Sequence, residues 1–232
     1  MTMRNLGRVA VTAFILAGCW FGTPIAGAQS ACADLGGTVD TNQTCHVNSD
    51  TSGYKIEFSF PVDYPDQQPV ADYLTRERDQ LASYVAKFPV GPDFPYELIV
   101  HGTTYRSGGP TSGTQSLVFT EMNETGVHPV TDYQAFNYDL ARHAPITFDT
   151  LFKPGTKPLA VLNPIVQREV DKHGGPGPLS LNDLGVDAYR NFAITDDAVI
   201  FFFNQGQVLA QLDGPQKVSV PRADLASLLA SP

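Results

Sequence analysis

Three serines crowd one short glycine-rich stretch: Ser107, Ser112 and Ser116 in SGGPTSGTQS. A serine hydroxyl becomes a nucleophile when a base takes its proton and a third group orients that base, whatever their order in the chain. His101 and His128 flank the stretch and are the imidazoles that could serve. The Gly-x-Ser-x-Gly pentapeptide of a strand-to-helix nucleophile elbow does not occur. Serine is also an ordinary turn former in a loop of this composition. Chemistry here therefore depends on geometry, and the sequence alone assigns no catalytic residue.

The other polar residues read more plainly. The histidines are His46, His101, His128, His143 and His173, and none forms a His-x-His or His-Glu-x-x-His pair. Without ligand spacing they read as surface or strand-end residues with local hydrogen bonds, and no metal is expected. His128-Pro129 reads as a rigid turn. Asp196-Asp197 reads as an acidic turn between strands rather than a cation site. Asp66, beyond Pro65, suits a helix cap. Gly174-Gly175-Pro176-Gly177 lacks the Lys-Ser/Thr and the strand-to-helix context of a phosphate loop, so no cofactor is expected. One group suggests binding. Tyr133, Phe136 and Tyr138, with His128 just before them and Tyr105 upstream, could form an aromatic recognition surface. The competing reading is core packing.

The cysteines are Cys19, Cys32 and Cys45. Cys32 and Cys45 flank a Gly/Thr/Asn-rich loop and read as a disulfide that pins the N-terminal segment. Such a bridge contributes about 3 kcal/mol on the chain-entropy model. A metal site with His46 lacks further ligands.

These residues need elements to hold them. Residues 1–28 read as an export signal: Arg4 and Arg8, an apolar Val9–Phe21, then Ala26-Gly27-Ala28. The apolar part is too short and too interrupted for a transmembrane helix, so no such anchor is expected in the mature chain. Leu16-Ala17-Gly18-Cys19 matches a lipobox, which leaves a lipoprotein anchored at Cys19 as the lesser alternative to secretion. Residues 29–232 read as one secreted α+β domain. Its mature part carries 24 acids against 13 bases, which argues against nucleic acid and anionic lipid as partners.

Tyr54–Phe60 alternates as a half-buried strand. A helix follows from about Asp66 to Phe88, with Val70, Tyr73, Leu74, Leu81, Tyr84, Val85 and Phe88 on its apolar stripe and Asp72–Arg76 as an i,i+4 pair. Strands are expected at Tyr96–Arg106, Gln115–Asn123 and Thr131–Leu140, as an antiparallel meander. Pro145–Phe152 reads as extended. Leu159–Lys172 reads as a helix that starts or kinks at Pro164, and HGGPGP ends it. Asn182–Tyr189 reads as a helical turn. Ala198–Phe203 is apolar on both faces and belongs inside a sheet covered on both sides. Lys217–Val220 is a last strand, and Pro221 opens a short terminal helix with Leu225, Leu228 and Leu229. The expected fold is α+β: a mostly antiparallel sheet against one long helix, a second helix in the C-terminal half, a short terminal helix, and one shared core.

Several stretches carry a resemblance. The export signal, the early cysteine pair, PVDYPDQQ, HPVTDYQAFNYDL, PITFDTLF, PIVQREV and NFAITDDAVIFFFNQGQ together resemble the mycobacterial secreted immunogenic protein family of the MPT type, in order and over the whole mature chain. From about residue 145 the chain is similar to the domain of unknown function in the extracellular part of RsiV-type anti-sigma factors. The resemblance implies an α+β fold, secretion or attachment to the cell wall, and extracellular recognition; RsiV-type proteins bind lysozyme. For some relatives it implies esterase activity, with no catalytic motif to carry over. The leading expectation is a secreted protein that binds a host protein or a cell-wall component. The alternatives are a serine-type esterase and an envelope polysaccharide-binding module.

Overall fold

A computed structural model describes residues 31–126, 128–174 and 184–230. The export signal with Cys19, and most of the HGGPGP stop, lie outside the described residues. The alternation of YKIEFSF does make a strand, β3 (Tyr54–Pro61), with Ile56, Phe58 and Phe60 buried. It is the third strand of a seven-stranded sheet whose spatial order follows the chain: β1 (Thr38–Val39), β2 (Thr44–Asp50), β3, β4 (Tyr96–Ser107), β5 (Thr114–Glu124), β6 (Val130–Asp139) and β7 (Ala144–Pro145). All neighbours are antiparallel except β3 and β4. A parallel pair needs a crossover, and the long helix α1 (Gln67–Lys87) supplies it. β1 is only two residues long, and β2 carries His, Asn, Ser and Asp at positions where a strand signal would show β-branched or aromatic residues, which hid them in the sequence.

Helix α1 buries Val70, Tyr73, Leu74 and Leu81 on one face of this sheet, in a core with Phe58, Phe60 and Phe119. The end of its stripe departs from expectation: Phe88 is exposed, and Tyr84 is partly exposed while its ring meets Tyr96 of β4 and its hydroxyl donates to the Thr125 carbonyl. Asp66 occupies the N-cap position without a capping bond; instead Gln67 Nε2 donates to the Tyr64 carbonyl at 2.7 Å. Arg76 does not pair with Asp72. It reaches Glu77 at 3.4 Å and lies over the Tyr73 ring, while Asp72 accepts from Gln68.

The C-terminal half begins with a correction. Pro145–Phe152 is extended at β7, Thr147 and Phe152, but not throughout: Thr147 makes a capping box with Thr150 and opens a helical turn, α2 (Phe148–Leu151). Helix α3 (Leu159–Gly174) runs through Pro164, which lies on its exposed side. Asn163, beside that proline, accepts from the Tyr189 hydroxyl at 2.7 Å. Residues Val186–Tyr189 form a 3-10 turn. A second, three-stranded sheet follows, with β9 (Ala198–Phe203) between β8 (Phe192–Ile194) and β10 (Gln216–Pro221). α4 (Arg222–Leu225) closes the described chain, with Pro221 at its N-cap.

The two-faced strand β9 is indeed covered on both sides. Val199, Phe201 and Phe203 face α2, α3 and α4, while Ile200 and Phe202 face Val118, Tyr133 and Ala135 of the large sheet. The layers are therefore α1, large sheet, small sheet, α3. The expected single core is instead three clusters, because a sheet covered on both faces separates what lies on either side of it.

Candidate functional site

Where the two sheets meet the C-terminal helices, the chain leaves a cavity of about 370 Å³. The β4–β5 loop forms one wall with Ser107, Gly108, Ser112 and Gly113. This loop folds tightly: a side chain at Gly113 would sit 1.8 Å from the Ser107 carbonyl oxygen, and Gly108 has φ +71°, which glycine adopts without strain. The β6–β7 turn forms a second wall. Asp139 Oδ1 accepts from the Ala141 and Arg142 amides at 2.9 Å each, an Asx turn that brings Arg142 to the cavity. Ile146, Leu151, Ile194, Val199 and Leu229 make an apolar floor, and Arg222 enters from the start of α4.

Ser107 and Asp196 are tied together at the rim. Ser107 is 7% exposed, and its hydroxyl accepts from Arg222 Nη1 at 2.7 Å. The same nitrogen reaches the Thr195 carbonyl at 3.2 Å. Asp196 Oδ1 accepts from the Gly108 amide at 2.7 Å. That amide, then the Ser107 hydroxyl and the Arg222 charge, hold the Asp196 carboxyl below its ordinary range. The acidic turn is thus punctuation with a second task, since it fixes the serine loop. The Ser107 hydroxyl is held between the Arg222 guanidinium and the Asp196 carboxylate, and among the described residues no imidazole lines the cavity beside it. Ser116 is buried and accepts from the Ile194 amide at 3.1 Å, joining the sheets. Ser112 is exposed at the cavity edge.

The two histidines that the sequence offered to these serines, His101 and His128, lie elsewhere. His101 Nδ1 lies 2.5 Å from Ser59 Oγ, across the parallel β3–β4 pair on the sheet face away from α1. Ser59 lies forty-two positions before His101 in the chain, and no local signal links them. His128 is exposed beside Pro129, ahead of the aromatic strand. The aromatic set does not form one surface. Tyr133 faces the small sheet, 5.1 Å between ring centroids from Phe202. Phe136 and Tyr138 face the opposite side, where both rings meet Tyr64 at 6.4 Å. The period of two separates odd from even positions along β6. Cys32 and Cys45 form a disulfide, with Cα atoms 5.8 Å apart. Among the described residues no group of His, Cys, Asp or Glu is arranged to hold a metal ion, and no helix is long and apolar enough to cross a membrane.

Most of the chain is similar to known proteins. A Mycobacterium tuberculosis protein named Esterase Rv3036c is 44% identical over 220 residues, 94% of this chain and 96% of that one. Immunogenic protein MPT64 of the same organism is 41% identical over 223 residues, 95% of this chain and 96% of its own. The chain belongs to the mycobacterial immunogenic protein family. This member also matches, over residues 149–223, a family described as a protein of unknown function, DUF3298. A DUF3298 protein from Pseudomonas aeruginosa of known structure shares its fold, with 14% identity and a TM-score of 0.56 over 83% of this chain and 96% of that one.

The polar residues on either side of β9 have a physical task. In NFAITDDAVIFFFNQGQ, Asn191 donates to the Tyr133 carbonyl at 2.7 Å and accepts from the Ala135 amide at 3.0 Å. Asn204 accepts from the Tyr133 amide and Gln205 from the Thr131 amide. These amides satisfy the β6 backbone beyond the reach of the short β7. Sequence reasoning missed Asp139, Arg142 and Arg222 as site residues, and nothing local marks them. They converge only because α4 returns to the β4–β5 loop.

Proposed function

We propose that this protein acts outside the cytoplasmic membrane as a binding protein, with its ligand in the cavity between the sheets. The observation that carries this reading is the composition of that cavity. Arg142 and Arg222 stand over an apolar floor, with Asp139 as the one acid in the lining. Its volume of about 370 Å³ lies within the usual range for small-molecule sites. An apolar floor takes a hydrocarbon body, and a guanidinium pairs best with a carboxylate or phosphate. The ligand class is therefore a small amphiphile with an anionic head, of the kind available at an envelope or a host membrane. The export pattern at residues 1–28, the bonded cysteine pair and the immunogenic relatives support an extracellular site of action.

Titration calorimetry with decanoate and with decanol tests the reading. Decanoate binds, decanol binds more weakly, and Arg142→Ala removes the preference for the acid. Failure of both amphiphiles to bind the wild type would sink the proposal.

A second reading, ester hydrolysis, is favoured by a different observation. Ser59 and His101 have the hydroxyl–imidazole contact of a nucleophile and its base, and a relative 44% identical is named an esterase. Hydrolysis of p-nitrophenyl butyrate by the purified wild type is its test.

A further inference from the structure

The large sheet has an open side. The small sheet covers the face away from α1 at β4, β5 and β6 and leaves the β2–β3 region bare. One row of residues crosses this bare region strand by strand. His46 of β2 pairs with Ser59 of β3, Ser59 with His101 of β4, and His101 with Thr120 of β5. Directly paired residues point to the same face. Ser59 therefore stands between two imidazoles.

Both imidazoles are oriented. His101 Nδ1 is 2.5 Å from Ser59 Oγ. His46 Nε2 is 3.2 Å from Asp40 Oδ2. Asp40 is itself fixed, because its other oxygen accepts from the Asn42 and Thr44 amides at 2.8 and 2.9 Å. That loop is closed by the Cys32–Cys45 disulfide, one residue before His46. Sheet stability does not explain the group. A hydroxyl–imidazole bond on an exposed face replaces bonds to water and contributes little to folding.

We infer that Ser59 is a nucleophile and His101 its base in an acyl-transfer site on this open face, distinct from the cavity. This rests on the ester-hydrolysis reading. With the His101 proton on Nε2, Nδ1 accepts the hydroxyl proton as Ser59 Oγ bonds to the ester carbonyl carbon. The protonated imidazole then gives that proton to the departing alkoxide as its bond to carbon breaks, and the alcohol leaves. Water adds to the acyl-Ser59 carbonyl, losing its proton to Nδ1. The carboxylic acid departs as Ser59 recovers its proton. The Ser59–His101 pair is exposed on the sheet surface, so it takes short, soluble acyl esters rather than long-chain lipids.

The experiment is ester hydrolysis combined with covalent capture. Wild type, Ser59→Ala, His101→Gln and Thr103→Ala are assayed with p-nitrophenyl acetate and butyrate, then treated with a fluorophosphonate and mapped by peptide mass spectrometry. The wild type hydrolyses both esters and carries the phosphonate on Ser59. Ser59→Ala falls to the uncatalysed rate, and His101→Gln loses about a hundredfold, the usual contribution of a general base. Thr103→Ala, exposed on the same strand and face, keeps wild-type activity. Circular dichroism confirms that the variants fold. Hydrolysis that persists in Ser59→Ala, or a label on another serine, overturns this site and leaves the esterase reading standing. No hydrolysis by the wild type removes both.

Discussion

Among the described residues Glu121 is the carboxyl group whose ionisation this fold opposes most. Burial beneath α1 raises its pKa to about 7, the nearby Glu77 and Asp132 carboxylates push the same way, and the Tyr73 hydroxyl, 2.5 Å away, opposes them. The ordinary value is 4.5, so the folded state binds its proton more tightly than the unfolded chain does. A raised carboxyl pKa leaves stability full below the unfolded value and erodes it as pH climbs through the folded one. We expect the melting temperature to fall between about pH 4.5 and 7 and Glu121→Gln to flatten that decline, as scanning calorimetry across pH would show. Arg222 makes the second prediction at this scale. It holds Ser107 and the Thr195 carbonyl together, so Arg222→Met leaves both acceptors without their cation. A loss of about 2 kcal/mol is expected by urea titration, together with faster amide exchange at Gly108. Neither the Glu121–Tyr73 pair nor the Arg222–Ser107 pair was legible in the sequence. Each joins residues far apart in the chain, and periodicity says which face a residue is on without saying what comes to meet it.

Among the elements, β9 is the one whose sequence said most. Six consecutive apolar residues required cover on both faces, and the structure provides helices on one side and the large sheet on the other. Phe202 fills the gap between the sheets at 1% exposure, flanked by Tyr105 and Tyr133 with the Lys217 ammonium over its ring. Phe202→Ala should cost about 3–5 kcal/mol in urea denaturation, as large-to-small changes at buried aromatic sites do. Asn191 acts at the same junction through hydrogen bonds. Asn191→Ala unpairs the Tyr133 carbonyl and the Ala135 amide at the edge of β6, for roughly 2 kcal/mol. Hydrogen exchange should then quicken at Ala135 before the rest of the sheet. An outcome in which Asn191→Ala is silent would mean that water replaces both bonds. β1 and β2 were invisible beforehand because β1 is two residues long and the outward positions of β2, His46, Asn48 and Asp50, are polar and exposed, where burial does not select side chains.

At the scale of the whole molecule, helices cover the two outer sides and the two sheets meet between them. The Cys32–Cys45 bridge ties the N-terminal segment to β2, the strand that carries His46. Reduction should destabilise the protein by about 3 kcal/mol, the entropy of a short closed loop. Intact-mass measurement would show the oxidised form roughly 2 Da lighter than the reduced one. Free thiols at both positions in the exported protein would refute the bridge. The cavity and the Ser59 row occupy different parts of this frame, so decanoate binding and ester hydrolysis should respond to different substitutions. Arg142→Ala should alter the first and leave the second.

By itself the sequence determined the α+β class, the long helix, the central strands, the cysteine pairing and the family, because these rest on local periodicity or on a pattern shared over the whole chain. The parallel placement of β4 beside β3, and so the meeting of Ser59 with His101, was decided only in three dimensions, as was the return of Arg222 to Ser107. The period of a strand fixes which face a side chain takes. Which strand lies beside it depends on crossovers and on competition for buried surface along the whole chain.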